Sequence, residues 1–167
     1  VTVTGIGHLE AEQVVLLADG AYVVTNQSTV STWTFLYTVS GGQITLPTAA
    51  SNIVVGLPYR AQWKASKLGI QAALGASLTM PKRVTGLGLL LADIHPTGLF
   101  YGPNFTNMDP MPLIRRGAPV NPNTVVTDLD DTPTNFPSEW DSDSRICLEA
   151  RAPRPATVVG MVGMVEM

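Results

Sequence analysis

Apolar positions along this chain recur with period two and in short runs. Trp33, Phe35, Tyr37 and Val39 alternate with smaller or polar residues and stop at Gly41-Gly42, which predicts a half-buried strand ending in a turn. Residues 43–46 read as its hairpin partner, closed by Pro47, whose nitrogen has no proton to give a ladder. Upstream, 12–17 and 21–25 flank Asp19-Gly20, a pair suited to a tight hairpin turn. The stretch SNIVVGLPY predicts a short strand and KRVTGLGLLLADI a longer one. In the latter, Gly86 and Gly88 share a face, as at a bulge or a close backbone approach. Residues 67–80 read as a turn or two of helix, because Gly69 and Gly75 each cost about 1 kcal/mol relative to alanine in anything longer.

From 94 to 123 the chain is rich in Pro, Gly and Asn and holds no period, which predicts an extended excursion that folds over the surface or reaches a neighbour. Strands resume at 124–127, 145–150 and 156–166, and no repeat of propeller or solenoid length is present. The expected fold is all-β. A small β-barrel-like module spans 1–60, a connector 61–81, and a β-sandwich-like module 82–167.

Composition fits that picture. Of 167 residues, 45% are hydrophobic, yet 15 glycines and 13 prolines divide them into short segments. The net charge of −3 gives no basic surface for gripping a phosphate backbone. Cys147 is the lone cysteine and sits in a strand-like run, so burial as a small hydrophobe is expected. No apolar run is long enough to span a membrane as a helix, and the first residues lack the pattern of a secretion signal. The start at Val1 points to a piece of a longer protein.

The ionisable residues crowd into one place, where Asp128, Asp130, Asp131, Glu139, Asp141 and Asp143 lie close together. A calcium loop fails there, because Pro133 follows Thr132 and no glycine stands at the sharp turn. A glycosidase pair built on Glu139 and Asp141 would need burial that a Pro/Ser/Asp-rich loop seldom provides, so a solvated loop is expected. His8 and His95 form no metal-ligand pair, and no nucleophile elbow or phosphate loop is present. No catalytic, cofactor or metal residue is expected. The strongest candidates for contact lie in the excursion. Phe100, Tyr101, Phe105, Met108, Met111, Leu113 and Ile114 offer apolar anchors, the three aromatics alternatively folding back onto the core, and Arg115 and Arg116 form either a charged rim against a partner subunit or a solvated loop tip. Trp33, Trp63 and Trp140 would serve instead as stacking platforms if the sandwich were a carbohydrate- or protein-binding module.

Four stretches, taken in order, resemble the tail nozzle proteins (tail tubular protein B type) of short-tailed bacteriophages. They are HLEAEQVVLLADG (8–20), VSGGQITLP through IVVGLPY (39–59), KRVTGLGLLLADIHPTGLFYGP (82–103) and WDSDSRICLEARAPRPATVVGMVGMVE (140–166). Ala11 stands where that family would carry glycine, residues 21–34 are longer than expected, and 104–124 has no counterpart. The resemblance implies the C-terminal β-rich portion of a longer virion protein without enzymatic activity. Six copies would form a ring assembled in the host cytoplasm. The ring would join the tail adaptor, hold a fibre or spike, and let double-stranded DNA pass without sequence-specific contact. No membrane insertion is implied.

Overall fold

In a computed structural model, residues 1–22, 37–69, 71–72, 75–112, 114–115, 117–121, 124–130 and 134–167 are described. The expected strand through Trp33 and Phe35 lies outside them, as do Leu113 and Arg116. The protein is all-β, with antiparallel sheets throughout. The chain divides into two compact units, residues 1–60 with 151–154, and residues 61–150 with 155–167.

The first unit holds β1 (Thr2–Thr4), β2 (Gln13–Ala18), β3 (Ala21–Tyr22), β4 (Tyr37–Thr38), β5 (Gln43–Thr45) and β6 (Ile53–Gly56). Asp19-Gly20 makes the expected turn: both residues take positive φ, 48° and 78°, and Ala18 pairs with Ala21. β2 also pairs with β6, Val15 opposite Gly56 through Ala18 opposite Ile53, and with β4. Val14, Leu16, Val39, Ile44 and Leu46 form the core with Ile6.

Two expectations are corrected here. β5 ladders with β1 instead of with the strand before the Gly-Gly turn, which is bridged only between Ser40 and Gln43. The reason is competition: Val39 already exchanges backbone hydrogen bonds with Ala11 and Glu12, which fixes that strand against β2. The module also does not close into a barrel among the described residues. Apart from the six-residue β2 the strands have two to four residues, and they are split between a sheet around β2 and a separate β1–β5 pair, which does not make the continuous ladder that closure requires.

Gly41 and Gly42 (φ 63° and 66°) turn two successive N–H groups toward Glu10, whose carboxylate accepts both at 2.9 and 2.7 Å. Asp19 does the same for Ser51 and Asn52 at the entrance to β6. Glu10→Ala is expected to cost about 1 kcal/mol, with Glu10→Gln in between, because charge-assisted bonds at an exposed site are partly replaced by water. Urea unfolding of the two variants against the parent measures it.

The second unit holds β7 (Arg60–Lys64, shared at its first residue), β8 (Gln71–Ala72), β9 (Gly75–Ala76), β10 (Arg83–Ile94), β11 (Leu99–Asn104), β12 (Asn107–Pro110), β13 (Ile114–Arg115), β14 (Ala118–Pro119), β15 (Val126–Asp130), β16 (Thr134–Asn135), β17 (Cys147–Arg151) and β18 (Thr157–Glu166). Residues 67–80, expected as short helix, instead form the β8–β9 pair and a 3-10 turn at Ser77–Thr79. Residues 61–81, expected as a connector, thus begin with β7, which enters a sheet. The excursion also contains regular structure: LFYGPN is an interior strand, β11, flanked by β12 and β17.

Two four-stranded sheets make the body of the unit, beside the β8–β9 and β13–β14 pairs. In one, β10 is central: β18 runs along one edge, while β16 and β15 share the other. The other runs β12, β11, β17, β7. Val84, Leu87, Leu89, Leu91 and Ile94 from β10 meet Leu99, Tyr101 and Leu148 from the second sheet in one core, completed by Leu129, Phe136 and Ile146. This is the arrangement of a sandwich. Of the two glycines on β10, Gly86 stands at a slip in the register against β18, after Val84, whereas Gly88 pairs regularly with Val162 and a second slip falls between Leu90 and Leu91. No helix among the described residues is long and apolar enough to cross a membrane.

Candidate functional site

The acidic stretch turns out to be a clamp on Lys82. Asp141 and Lys82 exchange backbone hydrogen bonds at 3.0 Å, and the Ser144 hydroxyl donates to the Lys82 carbonyl at 2.7 Å. The buried Lys82 ammonium donates to the carbonyls of Leu78, Met80 and Ser142 at 3.4, 3.1 and 3.2 Å. The Asp141 carboxylate accepts the Asp143 N–H, and Asp143 pairs with Arg145 at 3.0 Å, which holds the exposed Asp143 carboxyl below the usual range. Glu139 and Asp141 are exposed. Among the described residues no group of His, Cys, Asp or Glu is placed to hold a metal.

Cys147 is buried, and burial pushes its thiol pKa up. His95 is buried with Nδ1 against the Thr97 hydroxyl at 3.1 Å, while His8 is exposed. The Asn104 carboxamide oxygen accepts from the Thr106 and Asn107 N–H groups and so shapes the turn between β11 and β12.

The residues expected at an interface separate into groups. Phe100 and Tyr101 are buried at 7% and 5% exposure, folded back onto the core and not facing a partner: β11 is interior to its sheet, and Tyr101 packs against Phe136. Met111 packs against the second core and Met108 is half-buried. Phe105 is exposed in the turn after β11, and Ile114 is 52% exposed on β13, beside Arg115. Leu113 and Arg116 fall outside the described residues.

The feature that stands out lies elsewhere. β18 pairs only with β10 among the described residues, and its other edge faces an open groove of about 430 Å³. Val158, Val159, Gly160 and Met161 form one wall, Ala61 and Trp63 of β7 the other, and Leu99 and Leu148 the floor. Val159 and Val162 are 69% and 68% exposed, and Leu90, Met164 and Trp63 are about half exposed. Edge strands in soluble proteins are usually short or carry Lys, Pro or inward charge. β18 has ten residues, TVVGMVGMVE, and a single charge at its end. That combination was visible in the sequence but also fits a strand covered on both sides. Gln62 is the one polar side chain in the lining, and its amide already donates to the Glu149 carboxylate at 2.7 Å.

The groove can therefore bury apolar surface and accept an added strand, and its lining is mainly apolar. No protein-family model matches the chain, and no curated protein matches it.

Proposed function

We propose that this chain is a structural subunit of the tail nozzle of a short-tailed phage. It assembles with copies of itself into a ring of six in the host cytoplasm and lines the DNA exit channel of the virion. The ring meets the tail adaptor at one end and supports a fibre or spike. The observation that carries self-assembly is the uncovered apolar edge of β18 beside the open groove, a surface that association would remove from water. The tail assignment rests on the four resembling stretches, whose residues brace one another in the fold. Glu10 and Asp19 of the first grip the second and the residues within it, and Lys82 of the third is held by the fourth. A wall with net charge −3 lets a polyanion slide without strong contact.

The mass of the native assembly tests this reading. The expected value is about six times the 17.8 kDa chain, and a monomer at micromolar concentration would sink it. A carbohydrate-binding module is the second reading, favoured by the half-exposed Trp63 at the groove's lip. It would show as a tryptophan fluorescence change on adding polysaccharide to a monomeric protein.

A further inference from the structure

We propose that the open groove between β7 and β18 receives the β13–β14 hairpin of a second copy of this chain. The inference rests on the self-assembly reading above and names the contact that builds it. Sheet order supplies the first argument. β7 and β12 are the opposite edges of one sheet, and β18 and β15 are opposite edges of the other. The groove opens on the β7/β18 side. The β13–β14 hairpin is strung between β12 and β15, the two edges away from the groove. Socket and hairpin are therefore different surfaces of the same unit. A contact between such non-identical surfaces is head-to-tail, the kind that propagates into a ring when the rotation closes.

The second argument is that the hairpin is under-supported. β13 and β14 pair only with each other among the described residues, Ile114 opposite Pro119 and Arg115 opposite Ala118. A lone two-stranded hairpin is marginal in water and gains stability from an added strand or an apolar cover. β18 offers both. Within the hairpin, β14 carries Pro119, which cannot donate to a further strand, whereas β13 has no proline, so β13 is the strand that lies along β18.

Chemistry supplies the third. Ile114, exposed at 52%, is an apolar anchor for a groove lined by Val158, Val159, Met161 and Trp63. The single charge on β18, Glu166, stands at its far end, so nothing charged on that strand opposes an apolar anchor seated at Val158–Met161.

Single-cysteine variants of the full chain test the contact. Ile114→Cys and Val159→Cys are prepared separately, mixed, and treated with a short bis-maleimide, the buried native Cys147 serving as the unreactive background. The expected product is a mixed dimer found only in the mixture, and a ladder from the double variant. Dimers from Val159→Cys alone mean that two β18 edges meet about a two-fold axis, and overturn the proposal. No cross-link in a protein that still has ring mass overturns this contact while leaving the ring reading intact; a monomer without cross-links overturns both. In parallel, Ile114→Asp and Val159→Asp, both at exposed positions, are expected to weaken association at least about 10-fold with an unchanged circular dichroism spectrum. Unchanged association in both also overturns the proposal.

Discussion

Gly102→Ala is expected to destabilise the second unit by at least about 3 kcal/mol. Gly102 sits in β11 opposite Cys147 of β17, and on its other side the β11–β12 register slips between Tyr101 and Asn104. That slip brings the partner backbone against its Cα. A β-carbon at 102 would collide with the Asn107 carbonyl oxygen and press on the Met108 Cα at 3.1 Å. Both obstacles are main chain, so no rotamer change relieves them. β11 and β12 must move apart, and that movement disturbs the core around Tyr101 and Leu99. Gly160→Ala is the control, because its β-carbon would meet only the Leu90 side chain at 3.4 Å, and it should cost under about 1 kcal/mol. Residue-resolved amide exchange of β11 and β17 measures both; equal protection in the two variants would refute the clash.

Lys82→Met is the second large effect, with an expected cost of about 3 kcal/mol. Methionine keeps the length of the stem but removes the ammonium. The carbonyls of Leu78, Met80 and Ser142 then lose a shared donor in a place where Lys82 is fully buried. Leu78, Met80 and Ser142 are exposed residues, so water replaces part of what is lost, and the cost comes from giving up three charge-assisted bonds together. Lys82→Arg should rescue poorly, since a planar fork cannot aim at three carbonyls gathered round a compact ammonium. Cys147 provides the readout: its thiol is sealed in the same unit, so its labelling rate in urea reports the opening of that unit. A labelling rate for Lys82→Met equal to that of the parent would show that the lysine does not hold the loops together.

How much of this was legible depends on distance along the chain. Asp19-Gly20 was, because a two-residue turn is a local event that needs positive φ at both positions. β10 and its slip at Gly86 were legible from an unbroken apolar run with two glycines. β11 was not: Gly102, Pro103 and Asn104 look like loop, and only the neighbouring strand shows that a glycine is needed there for room. The acidic stretch misled in the opposite way. Its carboxylates suggested chemistry, while what matters most is carried by main-chain atoms of Asp141 and Ser142 and the hydroxyl of Ser144, all meeting a lysine some sixty residues earlier. Of the residues expected at an interface, Ile114 and Phe105 are exposed and Phe100 and Tyr101 are not, since a string of aromatic and aliphatic residues does not reveal which sheet covers it. The groove was beyond reach, being made by strands that begin a hundred residues apart.

The central place of β10 also shapes how the second unit acquires its structure. Its neighbours β15, β16 and β18 all come from later, distant parts of the chain, so none of its ladders can form by local zipping. Closing such long loops is entropically slow. In the interval the strand VTGLGLLLADI has two bare edges and an unsheltered apolar face, which makes it the segment most prone to pair with the wrong chain in a crowded cell. Folding yield, more than final stability, is thus the property that substitutions in β10 should change first.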